Sequence, residues 1–369
     1  MKSQAVKNKG GDKGRVFVGL SGGVDSAVSA ALLKQGGYEV TGVFIKAWTP
    51  PGYVCTWRED RRSAMRAAAI LDIPFVTLDL EKEYKKEVVD YMIDEYKKGR
   101  TPNPDVMCNK EIKFGAFLDW AIGKGADFVA TGHYCIKHEI RNSKFEILEA
   151  KDKNKDQSYF LWTLTQEQLK HIVFPVGHLQ KEEVRKLAKK FKLPQAVRKD
   201  SQGLCFLGQI DMKEFLSGYI EQKQGNTLNE KGEVIGRHRG AVFFTIGERH
   251  GFTVTKKLSN DKALYVASKN IKENTITVSS KITTDLKCKE GDPLYIRLEQ
   301  INWITDLNKF NLRSLHCRLR YRQKKIKCQV EIVKKGQVSV KLGEDTYISP
   351  GQSLVFYDGE KCLGGGILE

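Results

Sequence analysis

Short apolar runs and helix-forming segments alternate along the first half of the chain. Residues 16–20 are apolar and closed by Gly and Ser, as in a buried strand, and residues 27–35 read as a helix stopped by Gly36-Gly37. The same grammar predicts strands over 38–45, 75–80 and 127–131. It predicts helices over 60–71, 81–98 and 112–122, with Thr101-Pro102-Asn103-Pro104 breaking the last two apart. Strand and helix in repetition imply a parallel sheet covered on both faces, with ligands at the carboxyl ends of its strands. Beyond Gln209 the pattern turns to short β-rich segments over 241–246, 263–268, 275–279, 293–297, 327–333, 337–341 and 353–357. Turn residues such as Asn229-Glu230-Lys231-Gly232 and Pro350-Gly351 punctuate them. The expected fold class is α/β: a doubly wound parallel-sheet domain over 1–208, a central small β-rich domain over 209–282 and a C-terminal β-barrel domain over 283–369.

Composition narrows the function classes. The 369 residues carry 62 Lys and Arg against 45 Asp and Glu, a net +17 that favours a polyanionic partner. No apolar run approaches the ~20 residues of a membrane span. The Lys- and Gly-rich opening, with Asp12 inside it, fits neither a secretory nor a transit segment, so a cytoplasmic location without membrane contact is expected. The eight cysteines include no C-x-x-C pair and no zinc-finger spacing, so no permanent metal or iron–sulfur cluster is expected, and in a reducing compartment most are small packing residues.

Between the first strand and the first helix lies Gly19-Leu20-Ser21-Gly22-Gly23-Val24-Asp25-Ser26. Small residues let backbone approach phosphate oxygens, and hydroxyls with a helix N-terminus favour negative charge. No Gly-Lys-Ser/Thr closes it, so it is not a Walker A loop. The whole string resembles the PP-loop of the ATP pyrophosphatase group, whose fold is the adenine nucleotide alpha hydrolase-like sheet. The resemblance implies cleavage of ATP between the α and β phosphates and AMP transfer to a carbonyl oxygen. Asp25 would hold Mg²⁺, as a hard cation prefers oxygen. Gly132 and His133 fall on the same rim of the sheet.

Two cysteines stand in Gly/Pro-shaped, cation-flanked loops. Cys108 follows Thr101-Pro102-Asn103-Pro104-Asp105-Val106-Met107 and is expected just before a helix N-terminus, which would lower its pKa, with Lys110 and Lys113 adding positive potential. Asp105, three residues upstream, is placed for acid/base work. Cys205 lies in Lys199-Asp200-Ser201-Gln202-Gly203-Leu204-Cys205-Phe206; taken alone it reads as a packing residue, and paired with Cys108 it supplies the parts for sulfur transfer.

The strings GLSGGVDS, TPNPDVMCNKEIKF, TGHY, DQSYFLW, KDSQGLCFLG, TIGERHG, RYRQ and PGQ occur in this order. Together they resemble the tRNA-specific 2-thiouridylase family. That resemblance implies ATP-dependent 2-thiolation of the wobble uridine, position 34, of tRNA. Cys205 would carry a persulfide from a sulfur-relay protein fed by a cysteine desulfurase, and Cys108 would resolve it as a disulfide. It assigns ATP contacts to Gly19 through Ser26, Ile45 and Gly132. It assigns tRNA contacts to Asn103, Pro104, Asp105, His133, Lys155, Asp156, Gln157, Arg320, Tyr321 and Gln352. Ile45 and Glu248 depart from the usual Met and Gln of the family. From Arg313 to Lys327 seven basic residues and no acid surround Tyr321, and their alternation suggests a strand with one basic face. Two other readings remain open at this stage: an AMP-forming PP-loop ligase or amidotransferase acting on a small carbonyl compound, and a non-catalytic RNA-binding protein.

Overall fold

Val16 and Val18 are fully buried and put β1 (Arg15–Gly19) at the centre of a parallel sheet. The computed structural model describes residues 13–52, 57–198, 211–255, 263–280, 295–332, 338–344 and 346–369. Contacts divide the chain into two units, Met1–Lys85 with Cys108–Gly208 and Lys86–Met107 with Gln209–Glu369.

In the first unit β2 (Glu39–Lys46), β3 (Phe75–Asp79) and β4 (Phe128–Ala130) join β1 in parallel register. A hairpin of β5 (Cys135–Ile140) and β6 (Lys144–Glu149), which the apolar pattern does not announce, precedes the last sheet strand, β7 (Ile172–Val173). The order is β3-β2-β1-β4-β7. Its neighbours leave β1 in opposite directions, so the carboxyl end of β1 is the switch point where such sheets open a crevice. Helices α1 (Val24–Gln35) and α2 (Trp57–Ile70) cover the sheet, with Ala27, Ala30, Ala31, Ala64, Ala67 and Ala68 buried in one core with Val16 and Val18.

Two expected helices differ in shape. Residues 81–98 form Glu81–Tyr84, a π-helical stretch Lys85–Asp90, and Tyr91–Lys97. The helix expected from 112 starts earlier, as Pro104–Met107, widens into a π-helix over Cys108–Ala116, and ends as Phe117–Gly123. The cause is local. The Asn103 side chain accepts from Val106 N at 3.4 Å, and Pro104 occupies the first helical position, where its fixed φ and missing N–H cost nothing.

The second unit holds two β modules. β8 (Gly225–Leu228), β9 (Val234–His238), β10 (Phe252–Val254), β11 (Tyr265–Asn270) and β12 (Thr275–Ser279) form one sheet in the order β10-β9-β8-β12-β11. Residues 241–246, expected as a strand, begin with a 3-10 turn, Ala241–Phe243. Their apolar side chains serve the core instead: Ala241 and Phe244 pack with Ile235, Val266, Ile276 and Val278. A short apolar run does not by itself choose between the two conformations.

β13 (Tyr295–Trp303), β14 (Leu315–Arg318), β15 (Ile326–Ile332), β16 (Val338–Leu342), β17 (Ser353–Asp358) and β18 (Lys361–Leu368) make the last module. They pair antiparallel as β13-β16-β15-β14-β17-β18, and β18 returns to β13, which closes a six-stranded barrel. The basic strand suggested around Tyr321 is a connection instead. Arg322 takes a left-handed φ of 63°, and Gln323 folds back to accept from Leu319 N at 3.0 Å. Among the described residues no helix is long and apolar enough to cross a membrane.

Candidate active site

The loop after β1 is built from its own small residues. Ser26 Oγ donates to Gly23 O at 3.2 Å and accepts from Ser21 N at 3.2 Å, while Gly23 N donates to Ser21 Oγ at 3.3 Å. Gly23 caps α1, so no N-cap side chain occupies the helix's first amides. Gly22 has φ +80°, and a Cβ there would lie 2.4 Å from Asp60 O. Gly132 fits as closely on the other side: a Cβ would lie 2.6 Å from Ser26 N. Leu20 and Val24 are buried beneath the loop, and Ile45 is half-buried near the end of β2.

Asp25, on the first turn of α1, is engaged from two directions. Lys181 Nζ reaches its carboxylate oxygens at 2.7 and 2.8 Å, and Tyr134 Oη donates at 2.8 Å. Lys181 opens the helix Lys181–Lys190 and was not singled out from the sequence. Arg198 precedes the Cys205 string in the chain. It donates to Gly22 O at 2.9 Å and pairs with Asp60, while Ser63 Oγ donates to the same carbonyl at 2.9 Å. The loop is thus braced by α2 and by the last described residue before the Cys205 segment. Among the described residues no group of three or more His, Cys, Asp or Glu side chains forms a metal site.

Cys108 is 3% exposed and lies in the second turn of the helical run, not before its N-terminus. The dipole argument for a lowered thiol pKa therefore weakens, since that field fades within the first turn. The flanking cations are also engaged: Lys110 pairs with Glu111 at 2.8 Å and Lys113 donates to Asn109 Oδ1 at 3.0 Å. Cys108 instead sits at the start of a π-helical stretch, a distortion frequent at functional sites. Cys205 and its whole KDSQGLCFLG string lie outside the described residues, as do the expected domain boundaries near 208 and 282.

Comparison with known proteins fixes the family. The profile described as the tRNA methyl transferase HUP domain matches residues 14–209. Those described as the tRNA methyl transferase PRC-barrel domain and the aminomethyltransferase beta-barrel domain match 213–280 and 295–368. The tRNA-specific 2-thiouridylase MnmA of Geobacillus thermodenitrificans is 43% identical over 368 residues, 98% of this chain and 96% of the relative. That of Oceanobacillus iheyensis is 44% identical, covering 96% of this chain and 95% of its own, and that of Bacillus subtilis is 42% identical with the same coverage. The chain belongs to the MnmA family.

In this MnmA family member the residues expected to touch RNA fall in both units. In the first, His133 is 7% exposed, boxed by the Phe114 and Phe174 rings, with Nδ1 2.7 Å from Thr131 Oγ1. Burial, then Lys113, holds its pKa well below the usual imidazole range, so the ring is neutral. Asp156 is buried and accepts from Ala150 N at 3.0 Å, Ser158 N at 3.3 Å and Ser158 Oγ at 2.9 Å. Gln157 Oε1 accepts from Tyr134 N at 2.9 Å, and Lys155 beside it is half-buried.

In the second unit Asn103, Pro104 and Asp105 start the helical run and are half-buried. Arg320 donates to Ile246 O at 2.5 Å, and the Arg322 guanidinium lies 5.0 Å from the Tyr321 ring centre. Gln352 Nε2 donates to Thr101 O at 2.9 Å and to Pro102 O at 3.1 Å. Glu248, where the family usually has Gln, accepts from Thr245 N at 3.0 Å and pairs with Lys213 at 2.5 Å. Its charge is balanced within the protein.

Proposed function

We propose that this protein is a tRNA uridine 2-sulfurtransferase that consumes ATP to convert the wobble uridine of tRNA to 2-thiouridine. The observation that carries the reading is family membership over nearly the whole chain, with the GLSGGVDS loop at the switch point of a parallel sheet. In the first step the C2 carbonyl oxygen of the uridine attacks the α-phosphorus of ATP, pyrophosphate leaves, and C2 carries an O-AMP leaving group. Gly19 to Ser26, Ile45 and Gly132 would hold the nucleotide, the glycine-capped N-terminus of α1 facing phosphate. Asp25 is a part-exposed carboxylate beside that loop, a donor that suits an ion taking its other ligands from phosphate and water. It would hold Mg²⁺, which when bound offsets phosphate charge; Lys181 would then be released toward the same phosphates.

In the second step the terminal sulfur of a Cys205 persulfide bonds to C2 and AMP leaves. Cys108 thiolate then attacks Cys205 Sγ, the persulfide S–S bond breaks, and its electron pair stays on the sulfur now bound to C2. The product is the thiocarbonyl plus a Cys108–Cys205 disulfide, which an external thiol reduces. Asp105 would handle the proton traffic at the base. Asn103, Pro104, Asp105, His133, Lys155, Asp156, Gln157, Arg320, Tyr321 and Gln352 would meet the RNA. Buried His133 and Asp156 would do so by shaping the surface beneath it. The persulfide would come from a sulfur-relay protein in a reducing cytoplasm.

The test is to incubate protein, ATP, Mg²⁺, a persulfide donor and unmodified tRNA, then analyse nucleosides by mass spectrometry. The wild type yields 2-thiouridine, and Cys205→Ser yields none while retaining tRNA binding. Absence of 2-thiouridine from the wild type overturns the reading.

A further inference from the structure

Lys86–Met107 lies between sheet strands in the chain, yet its contacts group it with the C-terminal modules. The ties are specific. Thr101 N donates to Pro350 O at 2.8 Å, and Thr101 Oγ1 lies 3.2 Å from Thr245 Oγ1. Arg100 pairs with Glu299 and with Glu95, and donates to Leu368 O at 3.1 Å. Gly351, at φ +90°, brings the barrel's backbone against this strand of chain, since a Cβ there would lie 3.0 Å from Thr101 C.

At the centre stands Gln352. Its Nε2 has two protons and two acceptors, the carbonyls of Thr101 and Pro102, immediately before Asn103 caps the helix that carries Asp105. Its own backbone is fixed at both ends, N to Ser349 O at 3.1 Å and O from Leu368 N at 2.8 Å. Thr101 and Pro102 are buried, so their carbonyls would lose an internal partner that water does not readily replace.

We infer that Gln352 is a positioning residue: through its amide the barrel sets the place of the Asn103–Asp105 loop on which thiolation depends. The inference rests on the proposed thiolase activity and adds a role for Gln352 apart from any contact with RNA. A residue that only touched tRNA would not spend both amide protons on main-chain carbonyls in the RNA-free protein.

The experiment compares wild type with Gln352→Met, which keeps length and loses the donor, and Gln352→Glu, which offers acceptors where the carbonyls need donors. Amide hydrogen exchange of residues 101–107 is read in RNA-free protein, and kcat and KM for tRNA are read in the thiolation assay. The expected result is exchange faster by about tenfold or more in both variants and kcat at saturating tRNA lowered about tenfold, with any rise in KM for tRNA reading the lost RNA contacts separately. Unchanged exchange overturns the inference, whichever way KM moves. Faster exchange with unchanged kcat overturns it too. Exchange does not need the thiolation assay, so a wild type that makes no 2-thiouridine counts against the function and not against the clamp.

Discussion

Lys181 Nζ lies 2.7 and 2.8 Å from the carboxylate oxygens of Asp25, joining the first turn of one helix to the first residue of another 156 positions along the chain. The Lys181 side chain is 12% exposed, so the pair is partly shielded and stronger than an ordinary surface pair. Lys181→Met therefore weakens ATP binding by about tenfold or more, read by equilibrium titration, because both the partner of Asp25 and a cation beside the phosphates are lost. Lys181→Arg keeps most of the affinity. Wild-type affinity in Lys181→Met would remove Lys181 from the site.

Gly132 tests the closeness of the loop. A Cβ would lie 2.6 Å from Ser26 N and 2.8 Å from Asp25 C, both backbone atoms. Gly132→Ala must push the first turn of α1 away from the strand end. ATP-dependent pyrophosphate release should fall about 100-fold, the scale expected when reacting groups are displaced by an ångström. The melting temperature should also fall by a few degrees, since the atoms in the way are backbone and overpacking costs about 1–3 kcal/mol.

Asp156 accepts three hydrogen bonds in a buried turn. Asp156→Ala removes the acceptor of two amides and a hydroxyl, which costs about 1–3 kcal/mol for each buried donor that finds no replacement. Thermal unfolding should drop by several degrees. A variant that melts like wild type yet loses tRNA affinity would mean that Asp156 acts on RNA directly.

Lys137 donates to Leu169 O at 2.9 Å over the Phe145 ring, and burial lowers its pKa from 10.5 to about 8. Below pH 8 the lysine is charged in both states, and the desolvation penalty is fully present. Between pH 8 and 10.5 the unfolded chain binds more protons than the folded one, so this residue's contribution to stability rises with pH. Relative to wild type, Lys137→Met should lose that rise when denaturant midpoints are compared from pH 7 to 10.5. Parallel curves would show that the ammonium is well solvated.

Local features were legible in the sequence. The strand, the Gly/Ser loop and α1 follow one another without a gap, so the apolar run and its small residues placed that loop between them directly. Asn103-Pro104 was written just as plainly, but as a helix start; reading proline as a breaker displaced the helix and with it the dipole argument for Cys108. Lys181 left no mark, because KEEVRKLAKK announces a helix and not which residue its first lysine meets. The Gln352 clamp was equally silent: it joins a side chain to two carbonyls some 250 positions away, and main-chain acceptors carry no residue code. Alternation around Tyr321 misled for the opposite reason, since the strand ends at Arg318 and Arg322 turns left-handed where the pattern continued it.

The last strand has a bearing on how the protein is made. Leu368 both seals the barrel against Leu298 and accepts from Arg100 through its carbonyl. A ribosome therefore finishes the Gly19–Ser26 loop long before residue 368 emerges to lock the segment at Arg100. A chain stopped before residue 350 would present residues 19–26 while its Asn103–Asp105 segment still lacked the Pro350 and Gln352 contacts beside it.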